Sequence, residues 1–131
     1  MGERVRDGRA MIAAMAPRLD ARRWCFVAVT PERAPELLGA ALGTFREDEG
    51  VSAIVPPELA PEGTPVFSRI VLEVFSDLEG VGLTAAVAGA LAEAGIACNM
   101  VAALNHDHAF VPAERAEDAL ATLVALQDSA S

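Results

Sequence analysis

Apolar residues fall along this chain in two rhythms, one of period near 3.6 and one of period 2, and their alternation predicts the elements. Met11, Ile12 and Met15 recur at helical spacing within Ala10–Met15, and Pro17 stops the pattern, which predicts a short opening helix. Arg23–Thr30 (RWCFVAVT) is rich in aromatic and β-branched residues and is bounded by Pro31, as a strand would be. Pro35–Leu42 places a proline in a first helical turn, with Gly43 at the position of a C-terminal cap. Thr44–Pro56 carries Phe45, the acidic turn Glu47-Asp48-Glu49-Gly50 and the run Val51–Val55, which predicts two strands joined tightly. A linker is expected over Pro56–Pro65, where four prolines sit among acidic residues and Gly63.

Beyond the linker, Val66–Phe75 alternates as a central strand, with Ile70, Leu72 and Val74 on one face and Arg69, Val71, Glu73 and Phe75 on the other. Ser76-Asp77-Leu78-Glu79 has the form of a capping box, after which Leu83, Val87, Ala90, Leu91 and Ala94 keep helical spacing as far as Gly95. Ile96–Asn105 predicts a strand with Ile96, Cys98, Met100, Ala102 and Leu104 inward and Asn99 and Asn105 outward. His106-Asp107-His108 is expected as a turn into a short strand, Ala109–Val111, and Pro112 then opens a helix with Ala116, Leu120, Leu123 and Val124 on one stripe. The first half thus reads β, α, β, β and the second β, α, β, β, α, a degenerate duplication. Each half is too small for a full core, so the two, 1–62 and 63–131, are expected to form one compact unit.

Charge narrows the partners. Ten arginines and no lysine against nineteen acidic residues leave a net charge of −9, which repels phosphate backbones and anionic bilayers, so neither nucleic acid nor a membrane is expected. The early arginines (Arg4, Arg6, Arg9, Arg18, Arg22, Arg23) are interrupted by acidic and apolar residues and read as a solvated face. Cys25 and Cys98 have no CxxC spacing and sit among apolar residues, as buried thiols do; with no secretory pattern in Met1–Asp7, the expected compartment is the cytoplasm. No stretch approaches the roughly 20 apolar residues of a membrane span.

The order β, α, β, β, α with a glycine-containing loop after its first strand resembles the ACT domain. The segments REDEGVSAIVP (Arg46–Pro56), SDLEGVGLTAAVAGALAEAGIACNMVA (Ser76–Ala102) and HDHAFVPAERAEDAL (His106–Leu120) are similar to small bacterial proteins built of tandem ACT-like repeats. The resemblance implies an α+β, ferredoxin-like fold of βαββ(α) repeats with antiparallel sheets packed against helices. It also implies a ligand, commonly an amino acid, and no catalysis. An aromatic or a histidine would be usual near Leu104 and Asn105, and the pattern's last strand is absent after the final helix, so the first half is expected to supply it.

In such modules the loop between first strand and first helix holds the ligand carboxylate on backbone N–H groups; here that loop is Asp77, Leu78, Gly80, Val81, Gly82 and Leu83 with Glu79. Gly80 and Gly82 permit close approach, and Asp77 either accepts from a ligand ammonium or only caps the helix. Asn99, expected beside this loop, can both donate and accept. His106, Asp107 and His108 form a structural turn, a pocket or subunit contact, or two ligands of a metal site that has no third. The acidic Glu47-Asp48-Glu49 lacks the spacing of a calcium loop, and no nucleophile or nucleotide motif is present. Three functions are weighed: a regulatory protein that binds a small molecule, expected to be an amino acid, without cofactor and as a homo-oligomer; an interaction module using Phe45, Val71 and Phe75; and a metal enzyme built on His106 and His108.

Overall fold

A computed structural model describes residues 7–75 and 77–130, and they form two compact units. One comprises the chain up to Ala21 together with everything from Ser68 onward; the other is Arg22–Phe67. The twelve-residue strand β1 (Pro17–Ala28) begins in the first unit and ends in the second.

In the larger unit, helix α1 (Gly8–Ala13) starts where the Asp7 carboxylate accepts from the Ala10 N–H at 2.9 Å. Strand β4 (Phe67–Leu72), helix α3 (Leu83–Glu93), strands β5 (Asn99–Ala102) and β6 (Asp107–Pro112) and helix α4 (Ala116–Ala130) follow. The strand order is β1-β4-β6-β5, so the opening residues of β1 lie beside β4 and supply the strand that the second half lacks. Alternation sends Ile70 and Leu72 of β4 and Ala109 and Val111 of β6 to one face. There they form a single core with Met11 and Met15, with Leu83, Val87 and Leu91 of α3, and with Ala119 and Leu123 of α4. The α1–β1 turn is held by Ala16, which takes φ 47° and donates its N–H to Gln127 Oε1 on α4 at 2.9 Å.

In the smaller unit, β1 continues to Ala28, followed by helix α2 (Ala34–Ala40) and the hairpin β2 (Gly43–Glu47) and β3 (Gly50–Val55), in the order β2-β3-β1 with antiparallel pairing. Gly50, at φ 134°, closes the hairpin opposite Glu47. Leu37, Ala53 and Val55 form its core, with Val27, Val29, Ala41 and Leu59 against them. Phe26 and Phe67 meet edge to face at 5.4 Å.

Several boundaries differ from the sequence reading. β1 begins at Pro17, six residues before the expected strand, because proline is tolerated at a strand's first position. Arg18 is accordingly paired with Glu73, and Arg22 stacks over Trp24, 4.8 Å from the ring centre; Arg4 and Arg6 lie outside the described residues. Gly43 opens β2, and α2 ends at Ala40, with its C-cap Ala41 in extended conformation. β5 is four residues long: Ala102 pairs with Asp107, so the chain must turn at Leu104 and Asn105, which leaves Leu104 66% exposed. Asp107 and His108 are therefore strand residues and not a turn. Val124 leaves the α4 stripe for the surface, where Ala119 takes its place inside.

A Cβ added at Gly8 would collide with the Val81 carbonyl oxygen, whereas one added at Gly89, in the middle of α3, meets nothing within 4 Å. Gly8→Ala is expected to destabilise by about 1–3 kcal/mol, since two backbones must part. Gly89→Ala should stabilise by about 0.5–1 kcal/mol through helix propensity alone. Urea unfolding of both variants measures the contrast.

Candidate functional site

The connection from β4 to α3 is shaped by two turns. The Asp77 carboxylate accepts from the Glu79 N–H at 2.7 Å, and the Asp77 carbonyl accepts from the Gly80 N–H at 2.9 Å. Asp77 thus caps this turn and not the helix. Helix α3 starts only at Leu83, with Gly82 as its N-cap at φ 111° and no side-chain cap. The expected capping box is displaced because Gly80 and Gly82 let the chain go on turning; its first residue, Ser76, lies outside the described residues. The early N–H groups of α3, at Leu83 and Thr84, therefore have no side-chain cap, and the helix dipole places partial positive charge there.

The glycines answer to packing as well. A Cβ at Gly80 would lie 2.9 Å from Met11 Cε and 3.0 Å from the Asp77 carbonyl oxygen, and one at Gly82 would lie 3.6 Å from the Gly8 Cα. Helix α1 is pressed onto this loop.

Between them lies a cleft of about 110 Å³ lined by Met11, Asp77, Leu78, Gly80, Gly82, Leu83, Thr84, Ala102 and Asp107. Six of the residues expected at the site meet there: Asp77, Leu78, Gly80, Gly82, Leu83 and Asp107. Val81 stands beside it, 80% exposed, its carbonyl against Gly8. Asp107 is only 7% exposed, because it shares the inward face of β6 with Ala109 and Val111. Met11, Thr84 and Ala102 were not foreseen. Thr84 follows the true helix start, and Ala102 is the cross-strand partner of Asp107, so both depended on boundaries the sequence blurred. Met11 was legible only as core.

Asn99, His106 and His108 are elsewhere. Asn99 pairs with Phe110, and Val101 with His108, so Asn99 and His108 project from the sheet face opposite Asp107 and the helices. That face holds a buried ion pair: Arg69 Nε and Nη2 reach Asp20 Oδ2 at 3.0 and 2.9 Å, with side chains 12% and 9% exposed. His108 Nδ1 lies 3.4 Å from Arg69 Nη1. Arginine can only donate, so Nδ1 accepts and the imidazole is neutral. Burial, then the Arg69 charge and then His106, hold the His108 pKa below the ordinary histidine value. His106 Nδ1 lies 3.3 Å from the Val74 carbonyl, and its ring stacks on Phe75 with centres 4.9 Å apart. Val71 is buried and Phe75 half-buried, so of the three expected contact residues only Phe45, 72% exposed, faces solvent. Among the described residues no cluster of three or more His, Cys, Asp or Glu is placed to hold a metal ion. Cys25 and Cys98 are free thiols whose pKa values burial pushes up, which makes them poor nucleophiles.

His108 gives a pH dependence of definite sign. Its folded pKa is depressed, so the unfolded chain binds the proton more tightly; the stability it contributes is complete above the ordinary value of 6.5 and is lost as pH falls below it toward the folded pKa. Thermal unfolding between pH 7.5 and 5 should show the wild type losing more stability on acidification than His108→Gln, whose amide oxygen can still accept from Arg69.

Two ACT domain family models match the sequence, one over residues 69–125 and the other over 5–64. Among solved structures, a Vibrio cholerae protein of unknown function, described as a "Possible Transport Protein", is 38% identical over 88% of this chain and 92% of its own, with a TM-score of 0.75. An Agrobacterium tumefaciens protein is 17% identical over 85% of this chain and 87% of its own, with a TM-score of 0.62. The regulatory subunit of aspartate kinase from Thermus flavus is 15% identical over 84% of this chain and 95% of its own, with a TM-score of 0.58. The last two likenesses speak for the fold alone. No curated protein matches. With ACT domain matches in both halves and a relative 38% identical across nearly its whole length, the chain belongs to the ACT-domain family.

Proposed function

We propose that the protein is a non-catalytic regulatory module that binds an amino acid at the cleft between the 77–83 loop, Met11 and the β5–β6 hairpin. The observation that carries this reading is charge arrangement within one small space. The uncapped start of α3 at Leu83 and Thr84 suits a carboxylate, and the carboxylates of Asp77 and Asp107 line the same cleft and suit an ammonium group. A zwitterion with both groups on one carbon matches that arrangement; a simple anion would meet two like charges. The halves 1–62 and 63–131 are read as two repeats, which one family match over 5–64 and another over 69–125 support. Free cysteines accord with a reducing compartment such as the cytoplasm, and no helix among the described residues is long and apolar enough to cross a membrane.

A second reading, self-association or docking without a ligand, draws on the smaller unit. Phe45 is exposed at the middle of β2, an end strand of its sheet, and Leu38 and Leu42 are exposed as well. Sedimentation at micromolar concentration tests it: a wild-type dimer that Phe45→Ser converts to monomer would favour it, and a monomeric wild type would sink it.

For the main reading, a thermal-shift screen of the twenty amino acids should find at least one that raises Tm, because a ligand at a hundred times its Kd adds about 2.7 kcal/mol. Asp77→Asn should weaken that ligand roughly tenfold or more, as expected for a lost charged hydrogen bond of about 1.5–3 kcal/mol. No response to any amino acid at millimolar concentration would overturn the proposal.

A further inference from the structure

We infer that Met11 sets the size of the ligand, restricting the cleft to small neutral amino acids of the order of glycine, alanine or serine; this rests on the amino-acid reading above. Met11 is fully buried on α1, and its side chain reaches the loop so closely that its Cε and Sδ would stand 2.9 and 3.1 Å from a Cβ at Gly80. It therefore forms a buried wall of the cleft beside the Gly80 turn. The space left is about 110 Å³. On the scale where a cavity of roughly 150 Å³ takes benzene, with its six heavy atoms, this open cleft encloses about four, so only the smallest amino acids leave little of their side chain outside it. Glycine has five heavy atoms, alanine six and serine seven; leucine has nine, and phenylalanine and arginine have twelve.

Neither wall can retreat cheaply. α1 is anchored by Asp7 at its start and by contact of Gly8 with the Val81 carbonyl, while Met15 at its far end is fully buried in the same core. The polar groups of the cleft, Asp77, Asp107, Thr84 and the α3 N–H groups, are those a head group uses. The remaining lining from Met11, Leu78, Leu83 and Ala102 is apolar and offers no cation to a side-chain carboxylate. Acidic amino acids are thereby disfavoured by charge and large ones by volume.

Calorimetric titration of the full chain with glycine, L-alanine, L-serine, L-leucine, L-phenylalanine, L-arginine and L-glutamate tests this. Binding of at least one of the first three, ten-fold or more tighter than any of the last four, is expected. Met11→Ala, checked for folding by circular dichroism, should bring leucine to within about threefold of alanine, and the volume-conserving Met11→Leu should keep the wild-type order. Leucine, phenylalanine, arginine or glutamate binding the wild type as tightly as the small amino acids would overturn the size inference while leaving the amino-acid reading intact. Absence of heat with all seven would overturn the size inference, and the amino-acid reading falls with it only if the screen of all twenty is silent as well. Should Met11→Ala fail to fold, the wild-type series and Met11→Leu still decide.

Discussion

The backbone contact between Gly8 at the start of α1 and the Val81 carbonyl in the β4–α3 connection fixes most of what is distinctive in the larger unit. It brings a six-residue helix, too short to persist alone, against a loop with little regular structure of its own. What holds the helix there is burial of Met11 and Met15 in the core built by β4, β6, α3 and α4. At roughly 1.5–3 kcal/mol for each large apolar side chain buried, two methionines can outweigh the cost of ordering one turn and a half. The loop conformation, the late start of α3 and the walls of the cleft then follow from a packing decision made by a segment some seventy residues away in sequence.

A second constraint acts on the opposite face of the same sheet. Asp20 and Arg69 are nearly excluded from solvent, and a charge in such a place is tolerated only when paired and hydrogen-bonded. Their pairing secures β1 beside β4, because removing either partner would strand a buried charge. His108, neutral and accepting from Arg69, extends this polar layer onto β6. The sheet is thus joined to the helices by apolar burial on one side and bound across its strands by charge on the other. The two candidate chemistries of the His106-Asp107-His108 run are separated accordingly: Asp107 points to the cleft, and His108 to the ion pair.

Much of the fold was legible because it is written locally. The α3 stripe of Leu83, Val87 and Leu91, the hairpin through Gly50 and the alternation of Ile70 and Leu72 each need only neighbours in sequence, and each stands as read. What was missed depended on partners far along the chain. The first residues of β1 carry Arg18 and Arg22, which read as solvated, and Asp20, which drew no reading; Glu73 opposite Arg18 and Arg69 opposite Asp20 come from far along the chain. Alternation through Leu104 continued beyond the point where pairing of Ala102 with Asp107 forces a turn. A Ser-x-x-Glu signal was present at residues 76–79, but whether a helix starts there is decided by glycines further on.

The site shows the same division with a sharper consequence. Residue types suited to a zwitterion could be picked from the loop itself, since Asp77, Gly80 and Gly82 are contiguous with the helix they precede. Asn99 was expected beside them, yet its outward place in the alternation stands as read, and the cleft opens on the other face of the sheet, where Ala102 and Asp107 lie. Met11 escaped for a different reason: a methionine at helical spacing is core by every local criterion, and here it is core and wall at once. When a short helix outside a repeat packs onto the repeat's glycine loop, its buried residues inherit a place in whatever that loop contains. The glycines that make room for a ligand also make room for the helix, and the volume left over is the difference between the two.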